Sequence, residues 1–340
     1  MDLDERKAAI LKAVVEEHIH TAQPVGSQAI ARSGGLQVSS ATVRNEMTIL
    51  EREGYLVQPH TSAGRIPTDL GYRFFVDHLT QQSALAPAQR RAVSDFFAVF
   101  TSAHRVLEDL LNETSQLLAR VSTHTAVVVG PQPDTATVRS VQLVSLQPAL
   151  VLVLAILSNG SVEKCVLHLA DDITDDDIAR AAAVLDAQLV GSRWGLLPEL
   201  RATDGTEAVN PLAGEARDAL ASRGEHESGE PLFIGGASRL AAEQEAFPTP
   251  TSAAQLLELL EHQVEVVSLV RNLLDQGATV SIGSENPRDE LRDCSIVVAP
   301  YRVEGEVIGT VGVLGPTRMD YRQALAAVEA ISDQLGKVLS

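Results

Sequence analysis

The segment Ser39-Ser-Ala-Thr-Val-Arg-Asn-Glu-Met-Thr-Ile-Leu-Glu-Arg-Glu-Gly54 carries the strongest structural signal in this sequence of 340 residues. Either of its first two serines is suited to cap a helix, and its closing glycine stands where helices commonly end in a left-handed residue. Between these ends, Val43, Met47 and Leu50 fall on one helical face. The segment therefore predicts a capped helix that buries this apolar face.

The opposite face of the same helix carries small, polar and basic side chains, and its glutamates are kept to the flank. Asn and Arg side chains can each pair with two atoms of a base edge, and Thr can bond to bases or phosphates. On a helix standing alone this polarity would indicate an ordinary surface, but the neighbouring segments favour a helix that contacts DNA. We call the following residues the reading face: the central stripe Ala41, Asn45, Thr48 and Arg52, together with Arg44 beside it, near Glu51.

The segments before this helix predict two further helices. Apolar residues repeat at helical spacing over residues 4–20, which predicts a first helix that cannot continue past Pro24. Ser27 is suited to begin a short second helix, which runs to Arg32 and ends at Gly34-Gly35. Two short helices joined by a tight turn form a helix-turn-helix, whose second helix enters the major groove of DNA.

A β-hairpin is predicted after the third helix. Residues 55–58 and 65–68 are candidate strands, and the turn between them contains hydroxyls, a histidine and a glycine. Such a hairpin beside a recognition helix is a wing, placed to contact the DNA backbone or the minor groove. A fourth helix starts at Thr68 or Asp69. We therefore expect residues 1–80, the head, to be a winged-helix DNA-binding domain.

The expected DNA contacts fall into two classes. The first comprises base contacts from Arg44, Asn45 and Thr48, with Ser40 and Thr42 on nearby phosphates or bases. The second class mainly holds the DNA backbone and includes the turn of the hairpin. Its members are Arg52, His60, Thr61, Ser62, Gly64 and Arg65.

The charge of the chain is unevenly distributed. The formal net charge is −18, but residues 1–78 hold eight Lys and Arg against ten Asp and Glu, so the remaining residues carry about −16. A strongly acidic protein is a poor nonspecific binder of polyanions. Binding to DNA must therefore come from a small face of the nearly neutral head.

The remaining residues, the body, predict an α+β fold with an insertion. A helix with leucines from Leu107 leads into candidate strands at 125–130, 140–146, 149–157 and 161–167, the last two joined by a hairpin turn at Asn159-Gly160. Residues 171–250 form an inserted, mostly helical subdomain. A long helix from Ala253 to Leu274 follows, then strands at 279–283, 294–302 and 306–314 and a terminal helix.

Other kinds of chemistry find little support in the sequence. Cys165 and Cys294 lie in apolar strand-like runs and are interpreted as reduced, buried thiols. The acidic run 171–177 lacks the spacing of a calcium loop, and the glycines after residue 304 lack that of a nucleotide loop. The acidic N-terminus is no signal peptide, and no apolar stretch approaches the roughly 20 residues that span a bilayer. We expect a cytoplasmic, non-enzymatic protein without cofactor, metal or membrane contact.

Three strings in the head resemble the HrcA family of heat-inducible transcription repressors: Gln23-Pro-Val-Gly-Ser27, Ser39-Ser-Ala-Thr-Val-Arg-Asn-Glu-Met47 and Gly54-Tyr-Leu-Val-Gln-Pro-His-Thr-Ser-Ala-Gly-Arg-Ile-Pro-Thr68. The resemblance continues near the C-terminus in Ile282-Gly-Ser-Glu-Asn286, Ala299-Pro-Tyr301 and Gly309-Thr-Val-Gly-Val-Leu-Gly-Pro-Thr-Arg-Met-Asp-Tyr321. Over residues 80–275 only the organisation is similar.

The resemblance implies a homodimer that binds an inverted-repeat operator of the CIRCE type upstream of chaperone operons and releases it on heat stress. It also implies a GAF-like domain formed by residues 81–170, with the linker helix, and 251–340. The insert, residues 171–250, would contribute to dimerisation. A GroE-type chaperonin would be a further partner that helps to maintain the active repressor.

Two other functions stay open at this point. A GAF-like fold often holds a small molecule, so a metabolite-sensing regulator with the same winged-helix head is the main alternative. An enzyme with a regulatory head would need a cluster of convergent polar residues, and the spacing of the sequence gives none.

Overall fold

A computed structural model describes residues 3–32, 38–61, 63–79, 85–102, 107–131, 136–147, 150–158, 160–169, 173–201, 208–226, 230–242, 247 and 250–340. Within these ranges the buried apolar side chains form three clusters. The first joins the head to one side of a central sheet, the second lies on the other side of that sheet, and the third belongs to a separate unit.

The head contains four helices and a two-stranded hairpin. In chain order these are α1 (Glu5–Thr21), α2 (Ser27–Arg32), α3 (Ser40–Arg52), β1 (Leu56–Val57), β2 (Ile66–Pro67) and α4 (Asp69–Asp77). β1 and β2 are antiparallel. The side chains of Asp4, Ser39 and Thr68 cap α1, α3 and α4 by accepting backbone N–H groups of the first turn. The expected helices and hairpin are therefore confirmed, while the predicted turn at Gly34-Gly35 lies outside the described residues.

Two helices connect the head to the central sheet. α5 (Pro87–Ser102) starts at a proline, which the first turn of a helix tolerates, and α6 (Leu107–Ser122) buries its leucines. Both pack in the same cluster as the head and α12 (Tyr321–Leu339), the terminal helix. The first cluster is thus continuous from α1 to the C-terminus.

The central sheet has five antiparallel strands. They are β3 (Thr125–Val129), β7 (Leu232–Gly235), β8 (Val280–Ile282), β9 (Cys294–Val303) and β10 (Glu306–Pro316), in the order β7-β3-β10-β9-β8. Alternate residues of β3 face opposite sides: Ala126 and Val128 join the first cluster, whereas Val127 and Val129 join the second. This sheet is therefore buried on both faces.

The second face of the sheet is covered by α10 (Pro250–Glu261) and α11 (Gln263–Asp275), which follow the short helix α9 (Ala237–Ala242). The sequence predicts one long helix here, from Ala253 to Leu274, and this prediction is wrong. The helix is broken at His262, whose φ of −94° and ψ of 77° are not helical. As a result Val264, two residues after the break, is 80% exposed.

The separate unit inserts between β3 and β7. It contains β4 (Val138–Gln147), β5 (Leu150–Leu157), β6 (Val162–His168), α7 (Asp175–Leu189) and α8 (Val209–His226), and its cluster extends from Ala136 to Ala221. β4, β5 and β6 form their own antiparallel sheet. The predicted pairing of β5 with β6 is confirmed, with Ile156 opposite Val162.

This unit differs from the expected inserted segment, residues 171–250, in two respects. It starts near residue 136, because the strands expected in the central domain pair with each other instead. It is also α+β and not mostly helical. At the other end the chain is back in the central sheet by Leu232, which pairs with Val129.

Burial limits the reactivity of the two cysteines. Cys294 is buried and Cys165 half-buried, and both are free thiols. Burial raises the pKa of both, that of Cys294 to about 12. Since the thiolate is the nucleophile and the metal ligand, neither thiol is activated as a nucleophile or as a metal ligand.

None of the helices in the described ranges is both long enough and apolar enough to cross a bilayer.

Candidate nucleic-acid interface

Helix α3 presents the predicted reading face to solvent. Val43, Met47 and Leu50 are buried against α1 and the rest of the head, as the sequence predicts. Ala41, Arg44, Asn45 and Arg52 are exposed, and Thr48 is half-buried. Asn45 and Thr48 therefore do not point into the core. Ser40 and Thr42, in the first turn of α3, are half-buried.

The hydroxyl groups near the N-terminus of α3 form local hydrogen bonds. Ser39 Oγ accepts the Thr42 N–H at 3.1 Å and lies 2.9 Å from Thr42 Oγ1. Ser40 Oγ lies 3.0 Å from Ser27 Oγ on α2. Each hydroxyl keeps further capacity for a hydrogen bond. The Ser27–Ser40 pair also links α2 to α3, the two helices of the predicted helix-turn-helix.

Each glutamate of α3 and its C-cap is paired with a basic residue from elsewhere in the head. Glu46 lies 3.2 Å from Arg6 Nε, and Glu53 lies 3.5 Å from Lys7 Nζ, both at the start of α1. Glu51 pairs with Arg65 from the hairpin. The negative charge of the helix is thereby neutralised on its flanks. The sequence pattern did not reveal these partners, because Arg6 and Lys7 are more than thirty residues away along the chain.

The two arginines of the reading face do not pair with these glutamates. Among the residues that the structure describes, Arg44 and Arg52 make no ion pair, and both are exposed. An unpaired, exposed guanidinium is free to bind a phosphate or the O6 and N7 atoms of guanine. The exposed surface of α3 therefore carries two positive charges, although the chain is acidic.

The hairpin lies beside α3 and is tied to it by Arg65. Arg65 Nε donates to Glu51 Oε2 at 3.0 Å, and its NH2 group lies 3.4 Å from Thr48 Oγ1. The Arg65 side chain is only 15% exposed. The turn itself exposes His60 and Thr61, and the Gln58 amide donates to the carbonyls of Thr61 and Ala63. Ser62 lies outside the described residues.

Gly64 is explained by a close approach of two backbones. A Cβ at this position would lie 2.4 Å from the carbonyl oxygen of Val25, in the loop between α1 and α2. The neighbouring residue, Arg65, exchanges two backbone hydrogen bonds of 2.8 and 2.9 Å with Val25. The base of the hairpin is thus fixed to the helices by backbone contacts that leave room only for glycine.

Comparison with known proteins identifies the family of the chain. A family model described as the HrcA protein C terminal domain matches residues 108–325. A heat-inducible transcription repressor HrcA from Nocardia farcinica is 37% identical, with 99% of this chain and 97% of that protein aligned. The HrcA of an Arthrobacter species is 39% identical, with 98% of both proteins aligned.

A solved structure described as a hypothetical protein supports the fold. It matches this chain with a TM-score of 0.71 over 99% of both chains, at 24% sequence identity. The full-length relatives are described as heat-inducible transcription repressors, and the motifs in the head and near the C-terminus resemble the same family. Transcription repressors are not a class of enzymes. This chain belongs to the HrcA family, whose named members are heat-inducible transcription repressors.

Proposed function

We propose that this protein represses chaperone operons by binding, as a homodimer, an inverted-repeat operator of the CIRCE type, and releases the operator on heat stress. The observation that carries the proposal is the surface of α3, where Arg44 and Arg52 are exposed without an ion pair among the described residues while each glutamate has a basic partner. The head, residues 1–80, then acts as a winged-helix domain whose α3 enters the major groove.

The exposed side chains of the head make two kinds of contact with DNA in this proposal, to base edges and to the backbone. Asn45 and Arg44 reach base edges, because both are exposed on the half of α3 nearer its N-terminus. Thr48 lies beside them, and Ser40 and Thr42 contact phosphates or bases at the first turn. Arg52, His60 and the turn of the hairpin contact the DNA backbone.

The second sheet supports a dimer. Its inner face packs on α7 and α8, but its outer face has no cover among the described residues. On that outer face Leu152 of β5 is paired with Val144 of β4 and with Val166 of β6, and both valines are exposed. A continuous exposed apolar patch commonly marks a protein–protein contact. We propose that two copies of the chain associate through this face.

The remaining parts of the proposal follow from the family. The central sheet and its helices form the GAF-like domain, into which the dimerising unit, residues 136–221, is inserted. A GroE-type chaperonin helps to maintain the active repressor. Loss of the dimer or of the head's position on heating releases the operator.

The proposal is tested by titrating the purified chain onto a duplex that carries the inverted repeat of a chaperone operon. We expect specific binding at moderate salt, with loss after mild heating, and weak binding to a duplex with scrambled half-sites. The affinity must be compared at one salt concentration, because phosphate contacts make it depend on salt. Equal affinity for both duplexes would contradict the proposal. Binding that requires an added small molecule would support the metabolite-sensing alternative.

A further inference from the structure

The segment from Val280 to Asn286 contacts the head although it lies on the body. β8 ends at Ile282 and continues into a single turn of 3-10 helix, residues 283–285. The Ser284 N–H donates to Asp69 Oδ2 at 2.8 Å. Arg73 Nε donates to Glu285 Oε1 at 2.7 Å, and another guanidinium nitrogen of Arg73 donates to the Val280 carbonyl at 2.9 Å.

This turn is held rigidly by its own residues. The buried Asn286 amide lies 3.0, 2.8 and 2.9 Å from the carbonyls of Gly283, Leu291 and Cys294, and it accepts the Ser281 hydroxyl at 2.7 Å. The Glu285 carboxylate accepts the Ile282 N–H at 2.9 Å. All of these hydrogen bonds lie within the body, so the orientation of Ser284 and Glu285 does not depend on the head alone.

Glycine is favoured at position 283 of this turn for two reasons. Its φ of +52° is in the left-handed region, which favours glycine. In addition, a Cβ on Gly283 would lie 2.4 Å from the carboxylate atoms of Asp69. Both the backbone and the approach of the head disfavour a side chain here.

The contact continues from α4 to the reading helix. Asp69 and Arg73 are one helical turn apart on α4, so they face the body together. α4 is fixed to the end of α3, because the Thr68 hydroxyl donates to the Gly54 carbonyl at 2.6 Å. Gly71 allows further close contact, since a Cβ there would lie 2.3 Å from the Tyr55 carbonyl oxygen. The direction of α3 therefore follows that of α4.

A second contact point lies at the end of α1. Arg318 donates to the Ile19 carbonyl at 3.2 Å, Arg322 pairs with Glu16, and the Arg322 guanidinium lies 5.5 Å from the Phe75 ring centre. These two polar contacts lie at separate places on a head that also shares the first apolar cluster with the body.

We propose that Val280–Asn286 is a docking motif for the head, and that Asp69, Arg73 and Glu285 are positioning residues that set the direction of the reading helix. This inference rests on the proposed function, because it concerns how two heads reach two half-sites at once. Half-sites on one face of DNA are separated by whole helical turns. Heads with a free orientation still bind single half-sites but lose the advantage of linked binding.

Docking itself is tested without DNA. We expect the Ser284 amide of the full chain to be protected from hydrogen exchange, and Asp69→Ala to accelerate its exchange while residues 294–303 stay protected. Unchanged exchange of Ser284 in the folded variant would overturn the docking motif. This measurement holds whether or not the chain binds the proposed operator, so the two failures are distinguishable.

The positioning role is tested with Arg73→Glu, Glu285→Arg and the double variant, with Arg292→Glu as control. Arg292 is an exposed arginine of the same body segment that pairs with Asp289. Each variant is titrated onto a single half-site, the full repeat, and a repeat whose spacing is changed by about five base pairs, half a helical turn.

We expect the single variants to bind the half-site like the unaltered chain but to lose about 100-fold in preference for the full repeat. They should also no longer distinguish the altered spacing. The double variant restores the ion pair but neither the hydrogen bond to the Val280 carbonyl nor the one from the Ile282 N–H, so it should regain only part of both properties. Retained preference in the folded single variants would overturn the proposal. The control should behave like the unaltered chain.

Discussion

Arg65 of the hairpin and Glu51 of α3 form an ion pair, with Arg65 NH2 lying 2.9 Å from Glu51 Oε2. The sequence predicts Arg65 as a contact to the DNA backbone, but its side chain is largely buried between the hairpin and the helix. This geometry favours a role in holding the hairpin at the correct angle to the reading face.

We therefore predict that Glu51→Ala weakens DNA binding, although it removes a negative charge near the DNA. Glu53→Ala, which removes a carboxylate from the end of the same helix, should strengthen binding slightly. Arg65→Ala should weaken binding to all sequences similarly. The free energies of unfolding of the Glu51→Ala, Arg65→Ala and double variants should give a coupling of about 0.5–1 kcal/mol. Stronger binding of Glu51→Ala, equal to that of Glu53→Ala, would contradict this role.

Asn45→Ala should relax sequence discrimination by about 1–3 kcal/mol, because Asn pairs with two atoms of adenine and alanine with none. The measurement is the ratio of affinities for the operator and for a duplex with one altered base pair per half-site. Asn112→Ala provides the control, since Asn112 is an exposed asparagine of α6 in the body. Equal loss of affinity on operator and random DNA would contradict a base contact of Asn45.

Local signals in the sequence were sufficient for the head. The capping serine, Gly54 and the spacing of Val43, Met47 and Leu50 depend on residues close along the chain, so α3 and its two faces could be predicted. The partners of its glutamates could not, because an ion pair such as Glu46–Arg6 depends on how α1 packs on α3.

The body shows where such signals fail. The Asn159-Gly160 turn correctly predicted the pairing of β5 with β6, but β3 pairs with β7 and β10, more than 100 residues away. Strand partners at this distance leave no local pattern, so the start of the inserted unit was misplaced. The break at His262 was missed for a different reason: the apolar spacing continues on both sides of it.

Gly64→Ala should destabilise the head by about 1–3 kcal/mol, since its Cβ would meet backbone atoms of Val25 that cannot move aside easily. Gly26→Ala is a matched control in the neighbouring loop, because a Cβ there has no atom within 4 Å among the described residues. Thermal unfolding of both variants measures the difference. Equal stability would show that the hairpin can shift away from the α1–α2 loop.

Val166→Lys should weaken the proposed dimer by about 1–3 kcal/mol, because a charge replaces an exposed apolar side chain beside Leu152 on the outer sheet face. Val190→Lys is the control, since Val190 is similarly exposed but lies at the end of α7. Sedimentation over a range of protein concentrations gives both dissociation constants. A dimer that tolerates Val166→Lys, or is weakened equally by Val190→Lys, would exclude this face as the interface.

The stability of the folded chain should also depend on His18, in the last turn of α1. Burial lowers its pKa below the ordinary 6.5, opposed by the hydrogen bond of Nδ1 to the Gln23 carbonyl, and the nearby Arg318 lowers it further. Below about pH 6.5 the unfolded state therefore binds more protons at this residue than the folded state. The contribution of His18 to the free energy of unfolding therefore falls as the pH decreases from 7.5 to 5.5.

His18→Asn keeps a donor near the Gln23 carbonyl but does not titrate in this range. We expect urea unfolding of this variant to show a smaller decrease in stability between pH 7.5 and 5.5 than the unaltered chain shows. Carboxyl groups that titrate in the same range affect both proteins equally. The quantity that reports on His18 is therefore the pH dependence of the difference in unfolding free energy between the two proteins. A difference that is the same at both pH values would mean that burial of His18 does not affect its protonation.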